Sequence, residues 1–155
     1  MACRRDGREI WLPTSDLGPM QILVSTHSSL PPEPSLEGRG ALEAIVRRQE
    51  QVGVDVVTDG LLASGDVVQR FLGCLEATGD GRWDRREPGF AEDVRALRAL
   101  TTETVKAVLP GPFSVATAVV PGGHPAARFE EVALQMAELI AAEVAEVVAA
   151  GAAVV

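Results

Sequence analysis

The stretch ALEAIVRRQEQVGVDVVT, residues 41–58, contains in order a helical pattern, a stop signal and a strand pattern. Apolar residues recur in its first half at the spacing of one helix face, and charged residues fall between them. Gly53 follows as the residue type that commonly ends a helix, and the β-branched run 54–58 predicts a buried strand. The stripe at helical spacing comprises Leu42, Ile45, Val46, Gln49 and Val52, of which only Gln49 is polar.

Three other segments of the chain resemble the beginnings of strands. Residues 21–26 and 104–109 are short apolar runs, and residues 152–155 begin a run directly after a helical pattern and a glycine. The helical patterns between these segments cover residues 66–75, 90–100 and 129–150. Strands that alternate with helices predict parallel βαβ units.

Four strand starts in 155 residues are about half of a (β/α)8 barrel, which typically needs roughly 250 residues. The expected fold class is therefore α/β, as the N-terminal half of a (β/α)8 TIM barrel that is truncated within its fourth strand. A complete doubly wound domain is the alternative, but no glycine-rich phosphate-binding motif follows any strand.

The chain divides into two parts on this interpretation. Residues 1–20 are expected to be an irregular N-terminal segment because prolines and a Gly-Pro pair punctuate them. Residues 21–155 are expected to form the partial barrel domain, interrupted by a long polar loop over 78–89. The glutamates of the last helix are expected to form a solvated face; they are Glu130, Glu131, Glu138, Glu143 and Glu146.

Composition excludes several classes of protein. With 46% hydrophobic residues the chain can bury a core, and its net charge of −8 disfavours a nucleic-acid partner. Two cysteines make no disulfide framework. The N-terminus lacks the apolar run of a signal peptide, and glutamates interrupt the C-terminal apolar run, so we expect a cytoplasmic protein without a membrane partner.

In barrels of this kind the functional residues follow the carboxyl ends of the strands. The first strand end offers the hydroxyls and amides of residues 26–31, which suit a small carboxylate. The second offers Asp59, which could orient an amine, and the third offers the rigid turn 110–112, which can start a helix. Asp59 could equally be a turn residue before Gly60.

Five blocks of the sequence, in order, carry a resemblance to a known family. They are THSSLPP from residue 26, RRQEQVGVDVVTDG from 47, GDVVQRFLGCL from 65, VKAVLPGPFS from 105 and AAGAAVV from 149. In this order and spacing they resemble the first half of the catalytic barrel of the cobalamin-independent methionine synthases. The resemblance implies a zinc-dependent barrel that transfers a methyl or alkyl group to a thiol such as homocysteine.

The resemblance assigns substrate-binding positions residue by residue. It implies four of them: Ser28, Ser29, Asp59 and Asp66. The serines match the step that holds the amino-acid part of homocysteine, and Asp66 matches an aspartate at the substrate amine. Leu61 stands where the family has an amine-binding Glu, and Ala118 where it has a folate-stacking Trp. A different acceptor thiol, or a donor other than methyltetrahydrofolate, fits these two changes better.

The resemblance places the zinc ligands on later strands that this sequence does not contain. We therefore expect no zinc on this chain, no catalytic residue within it, and no activity of this fragment alone. If a complete barrel were formed, its partners would be a small-molecule thiol and a methyl donor. Exposed sheet edges would make the chain self-associate.

Simpler interpretations accompany each candidate residue. A single histidine without a partner, such as His27 or His124, is more often packed or solvated than a metal ligand. Cys74 is expected to be a buried apolar side chain, and Asp66 could serve only as a charge at a helix N-terminus. At the level of function, two alternatives remain: a non-catalytic half-barrel or subunit, and a barrel of the uroporphyrinogen decarboxylase type.

Overall fold

The computed structural model describes residues 3–5, 8–10, 23–26, 30–31, 35–62, 66–79, 81–86, 89–120 and 126–155. Within these residues the chain is a mixed α/β fold. Its helices are α1 (Gly38–Gln51), α2 (Val67–Gly73), α3 (Ala91–Arg98), α4 (Pro112–Val119) and α5 (Ala126–Ala149). Its strands are β1 (Cys3–Arg5), β2 (Arg8–Ile10), β3 (Val56–Val57), β4 (Leu75–Ala77), β5 (Trp83–Arg85) and β6 (Thr104–Val105).

Four short segments pair in parallel and in the order in which they occur along the chain. Ser25 bridges to Val56 in β3, and β3 pairs with β6. Lys106, which directly follows β6, bridges to Val154. Each connection between neighbours contains at least one helix, as parallel pairing requires. The strand starts predicted near residues 25, 56, 104 and 154 are all present, although the pairings are shorter than the apolar runs.

The hydrophobic core lies between these segments and the helices. Val57 and Val105 are fully buried on neighbouring strands. They belong to one cluster with side chains from the helices, which include Val46, Phe71, Leu97, Val115, Met136 and Val147. Helix α4 packs mainly against α5, where the rings of Phe113 and Phe129 meet edge to face at 5.0 Å between centroids. Apolar residues spaced by helical turns thus bury one face of each helix.

The loop that the sequence predicts over residues 78–89 is in part a hairpin. Strands β4 and β5 pair antiparallel, with Ala77 opposite Trp83, and a turn joins them in which the Thr78 amide donates to the Arg82 carbonyl at 2.8 Å. Consequently α2 ends at Gly73 rather than continuing to Leu75. A hairpin of two three-residue strands has too few alternating positions for sequence periodicity to separate it from a loop.

A second hairpin lies in the N-terminal segment. Strands β1 and β2 pair antiparallel within residues 3–10, part of the segment that the sequence predicts to be irregular. Residues 11–22 lie outside the described part of the chain. The division at residue 20 stays a prediction.

The expected solvated face of the last helix is wrong at one position. Glu143 is fully buried, whereas Glu130, Glu131 and Glu138 are exposed. Position 143 falls on the apolar stripe of α5, and the carboxylate is accommodated because Arg85 and two backbone amides reach it. Among the described residues, no helix is both long and apolar enough to cross a membrane.

Candidate functional site

The carboxyl ends of the first two parallel segments are joined through one buried side chain of α1. Gln49 is 2% exposed, and its Oε1 accepts hydrogen bonds from the Thr26 hydroxyl at 3.0 Å and from the Thr58 amide at 3.1 Å. Its Nε2 donates to the Thr58 carbonyl at 2.7 Å and to the Ile45 carbonyl at 3.3 Å. Gln49 therefore satisfies backbone groups of Thr58 that β6 does not pair, and it holds the two strand ends in register.

Asp59 lies two residues after the end of β3, near the strand end at which the sequence places it. Its Oδ1 accepts from the Leu61 amide at 3.2 Å and from the Thr58 hydroxyl at 3.3 Å. This arrangement is a side-chain turn, which was the simpler interpretation of this residue. The turn orients the Asp59 carboxylate at the strand end, but such a turn is not in itself evidence of a ligand site.

The turn after Asp59 is tightly constrained. Gly60 has φ +68°, and a Cβ there would lie 3.0 Å from the Leu30 side chain and 3.2 Å from Ile45, so any other residue would be strained at this position. Leu61 also has a positive φ, +58°, which is uncommon for a branched side chain. Held strain of this kind is frequent at functional sites. The Leu30 amide donates to the Gly60 carbonyl at 3.1 Å and so joins the loops after the first and second segments.

A second carboxylate, Asp93 in the first turn of α3, lies near Asp59 and was not predicted from the sequence. Burial raises the pKa of Asp93, the negative charge of Asp59 raises it further, and the Arg70 guanidinium opposes both. Arg70 donates to Asp93 and, at 2.8 Å, to the Gly89 carbonyl, while its guanidinium lies 5.1 Å from the centre of the Phe90 ring. Asp93 is therefore an ion-paired carboxylate.

Both carboxylates line a groove between α1 and α3 with a volume of about 530 Å³. Its walls are largely apolar, with Leu36, Leu42, Leu62 and Leu100 among the lining residues. A concave apolar surface with a few polar groups at one end is the usual form of a small-molecule site.

Lys106 crosses the sheet on the face opposite Val105. Its Nζ donates to the Ser25 hydroxyl at 2.7 Å and also to the Thr26 carbonyl, so it spans β3 and ties the first segment to the third. Sequence reasoning missed this residue, although one signal was available. Lys106 is the only lysine in the chain, and it lies within an apolar run.

The other predicted residues fall into two groups, those outside the described residues and those whose contacts the structure gives. Ser28, Ser29, His27 and His124 lie outside the described residues. Asp66 is exposed and is the N-cap of α2, where its Oδ1 accepts from the Val68 and Gln69 amides at 2.9 and 3.1 Å. Leu61 is partly buried beside Asp59, and Ala118 is exposed on α4. Cys74 is partly rather than fully buried, at the C-terminus of α2.

Zinc is the metal that the resemblance implies, and the described residues do not fit it. Among them, no three His, Cys, Asp or Glu side chains lie close enough together to hold a metal ion. The Cys74 Sγ lies 3.4 Å from the Arg70 carbonyl, at the end of α2. The expectation that this chain alone binds no zinc stays a prediction.

Comparison with solved structures identifies a similar fold. The B12-independent methionine synthase from Shewanella sp. W3-18-1, solved in complex with selenomethionine, superposes with a TM-score of 0.70. The sequences are 24% identical over 84% of this chain, and the match covers 50% of that chain, so the present chain spans about half the length of this structure. No protein-family model matches the chain, and no curated protein matches it in sequence.

Proposed function

We propose that the described residues form the first half of a (β/α)8 barrel. The observation that carries this proposal is the order of the parallel segments, which runs through residues 25, 56–57, 104–106 and 154 without reversal. A doubly wound sheet reverses its strand order at a switch point, whereas a barrel adds each strand beside the preceding one. The similar fold of a methionine synthase supports the same architecture.

On that architecture we propose a role related to methyl or alkyl transfer onto the thiol of an amino acid of the homocysteine type. The part played by this chain is to hold the amino-acid end of the acceptor. Asp59 and Asp66 would pair with the ammonium group, and Ser28 and Ser29 would contact the carboxylate. Asp59 is already oriented by its own turn, so it would bind with little loss of conformational entropy.

The thiol chemistry itself is not assigned to residues of this chain. In the family that the sequence resembles, zinc lowers the pKa of the acceptor thiol, and its ligands lie on later strands. The described residues lack a set of side chains that could hold the metal. The contribution that we propose for this chain is binding and orientation of the acceptor.

Isothermal titration calorimetry of the purified chain with L-homocysteine tests the proposal. Asp59→Asn keeps the acceptor oxygen of the turn but removes the charge, and we expect the Kd to rise at least about 10-fold. The matched control is Asp84→Asn at an exposed position of β5, which should leave the Kd unchanged.

Two results would contradict the proposal. One is the absence of heat from L-homocysteine at millimolar concentration, which would instead favour the non-catalytic half-barrel. The other is binding that Asp59→Asn and Asp66→Asn both leave unaltered. In either case the amino-acid site would lie elsewhere or not exist.

A further inference from the structure

Lys106 is a cation without a counter-ion in the described part of the chain. The protein carries 22 acidic residues and only one lysine, yet no ion pair between described residues includes its ammonium group. Five arginines pair with a carboxylate, namely Arg39, Arg70, Arg85, Arg86 and Arg128, whereas Arg98, like Lys106, is in no ion pair between described residues and donates to a backbone carbonyl, that of Glu103.

The neighbours of the ammonium are neutral acceptors. Two of its three N–H groups donate to the Ser25 hydroxyl and the Thr26 carbonyl, and among the described residues the third has no partner. Lys106 is partly buried, and a partly buried charge is costly to hold without an opposite charge. This arrangement fixes a positive charge at the end of the first parallel segment. The carboxylates of Asp59 and Asp93 line the same small pocket as Lys106 but form no ion pair with it.

The Lys106 ammonium lies at the carboxyl end of the first parallel segment. It contacts residues 25 and 26, and the backbone of Lys106 itself bridges to Val154. Alternation along a strand turns Lys106 away from the buried Val105, toward the sheet face opposite the core. Ser25 on that face is exposed, so a small solute can reach the charge.

We propose that Lys106 binds the carboxylate of the acceptor amino acid. This inference rests on the proposed function and deepens it, because it assigns opposite ends of one substrate to opposite charges. The ammonium of the ligand would pair with Asp59 and Asp66. The carboxylate of the ligand would accept a hydrogen bond from the remaining N–H group of Lys106. The two fixed contacts to Ser25 and Thr26 preorganise the lysine, since its long side chain is already ordered before the ligand arrives.

Three thiols distinguish the contribution of the carboxylate of the ligand from that of its amine. L-Homocysteine carries both groups, 4-sulfanylbutanoic acid lacks the amine, and 3-aminopropane-1-thiol lacks the carboxylate. Because the chain has one lysine, lysine labelled with ¹³C and ¹⁵N gives a single side-chain signal that reports on Lys106 alone. We expect this signal to shift on addition of either carboxylate-bearing thiol and to stay in place with 3-aminopropane-1-thiol.

Substitutions of Lys106 and Ser25 test the same inference through the affinity of the chain for these thiols. Lys106→Met should weaken L-homocysteine binding by about 10- to 100-fold and should leave 3-aminopropane-1-thiol binding within about twofold. Lys106→Arg retains the charge and should lose less. Ser25→Ala removes one support of the ammonium but not its charge, so its loss should stay below about threefold. Thermal melts of each variant check that the fold persists.

The outcomes separate this inference from the proposed function. If L-homocysteine binds but the lysine signal does not move and Lys106→Met binds equally well, the inference is wrong and the proposed function stands. If 4-sulfanylbutanoic acid moves the signal while L-homocysteine does not bind, the carboxylate site stands and the homocysteine assignment is wrong. If Lys106→Met weakens all three thiols equally, the lysine has only a structural role and the inference fails.

Discussion

At the scale of single residues, the buried carboxylate of Glu143 joins three parts of the molecule. Its oxygens accept from the Phe90 amide at 2.7 Å, from the Gly89 amide at 3.4 Å and from Arg85 at 2.8 Å. Arg85 also pairs with Glu146 at 2.8 Å, so helix α5, the β4–β5 hairpin and the start of α3 share one charged network. A buried charge of this kind is tolerated only while its partners remain in place.

Glu143→Gln removes the charge from this network and places an amide group against Arg85. We expect the free energy of unfolding to fall by about 2–4 kcal/mol, measured by urea denaturation. Glu138→Gln is the matched control, because Glu138 lies on the same helix and is exposed, and its effect should stay within about 0.5 kcal/mol. Equal effects of the two substitutions would contradict the buried network.

Glu146 contributes to the way in which the free energy of unfolding falls at acidic pH. The hydrogen bond from Arg85 holds the pKa of Glu146 below its ordinary value of 4.5. Its stabilisation is therefore fully present above that value and is lost as the pH falls through the lower pKa of the folded state. Glu146→Gln should lower the free energy of unfolding by about 0.5 kcal/mol at neutral pH, since the side chain is 42% exposed and water screens the pair.

The measurement is the difference in unfolding free energy between Glu146→Gln and the unsubstituted chain, followed from pH 7 downward. The difference should shrink below the ordinary pKa of glutamate. A difference that stays constant to the lowest pH at which the chain folds would show that the Arg85 contact does not depend on the charge of Glu146.

At the scale of secondary-structure elements, helix α1 is fixed to the sheet by Gln49 as well as by its apolar stripe. Gln49→Leu keeps the volume but leaves the amide and the carbonyl of the buried Thr58 without their partner. We expect a loss of about 2–4 kcal/mol in urea denaturation. Gln51→Leu at the exposed end of the same helix should change stability by less than about 0.5 kcal/mol. A neutral Gln49→Leu would mean that Thr58 finds other partners.

Helix α2 is capped by Asp66, whose carboxylate accepts hydrogen bonds from two amides of the first turn. Asp66→Ala should destabilise the chain by about 1 kcal/mol, whereas Asp66→Asn keeps an acceptor and should retain most of the stability. If Asp66 also binds the acceptor ammonium, Asp66→Asn should keep the melting temperature but weaken L-homocysteine binding. A helix cap without a binding role would leave that affinity unchanged.

At the scale of the whole molecule, the outer segments of the parallel arrangement are exposed. Leu23, Val24, Val154 and Val155 are 39–52% exposed at its two sides. Unpaired strand edges with apolar side chains favour association with other chains. We expect the purified 155-residue chain to self-associate, with a mass that rises with concentration in light scattering. A monodisperse monomer with a sharp two-state melt would contradict this prediction and the half-barrel proposal with it.

Local pattern predicts much of the fold. The apolar stripe ending at Gly53 predicts α1 and β3, and the regular stripe of the last helix predicts α5, because helical and extended periods differ in any amphipathic segment. The alternation of such segments predicts parallel pairing, and the pairings found near residues 25, 56, 104 and 154 agree with it. The same alternation predicts Asp59 at a strand end.

Elements that depend on distant partners do not follow from local pattern. Local periodicity places Glu143 on the apolar stripe of α5, but it does not reveal what compensates the buried charge, since Arg85 lies 58 residues away along the chain. The β4–β5 hairpin, the ion pair of Asp93 with Arg70 and the span from Lys106 to Ser25 also join residues that the chain separates. The amino-acid sequence by itself determines which segments are helical, extended or apolar, because those preferences are local. Only the tertiary structure decides which charges form ion pairs and that Lys106 lies at the strand ends without one among the described residues, because the interaction of two charges depends on their distance in space.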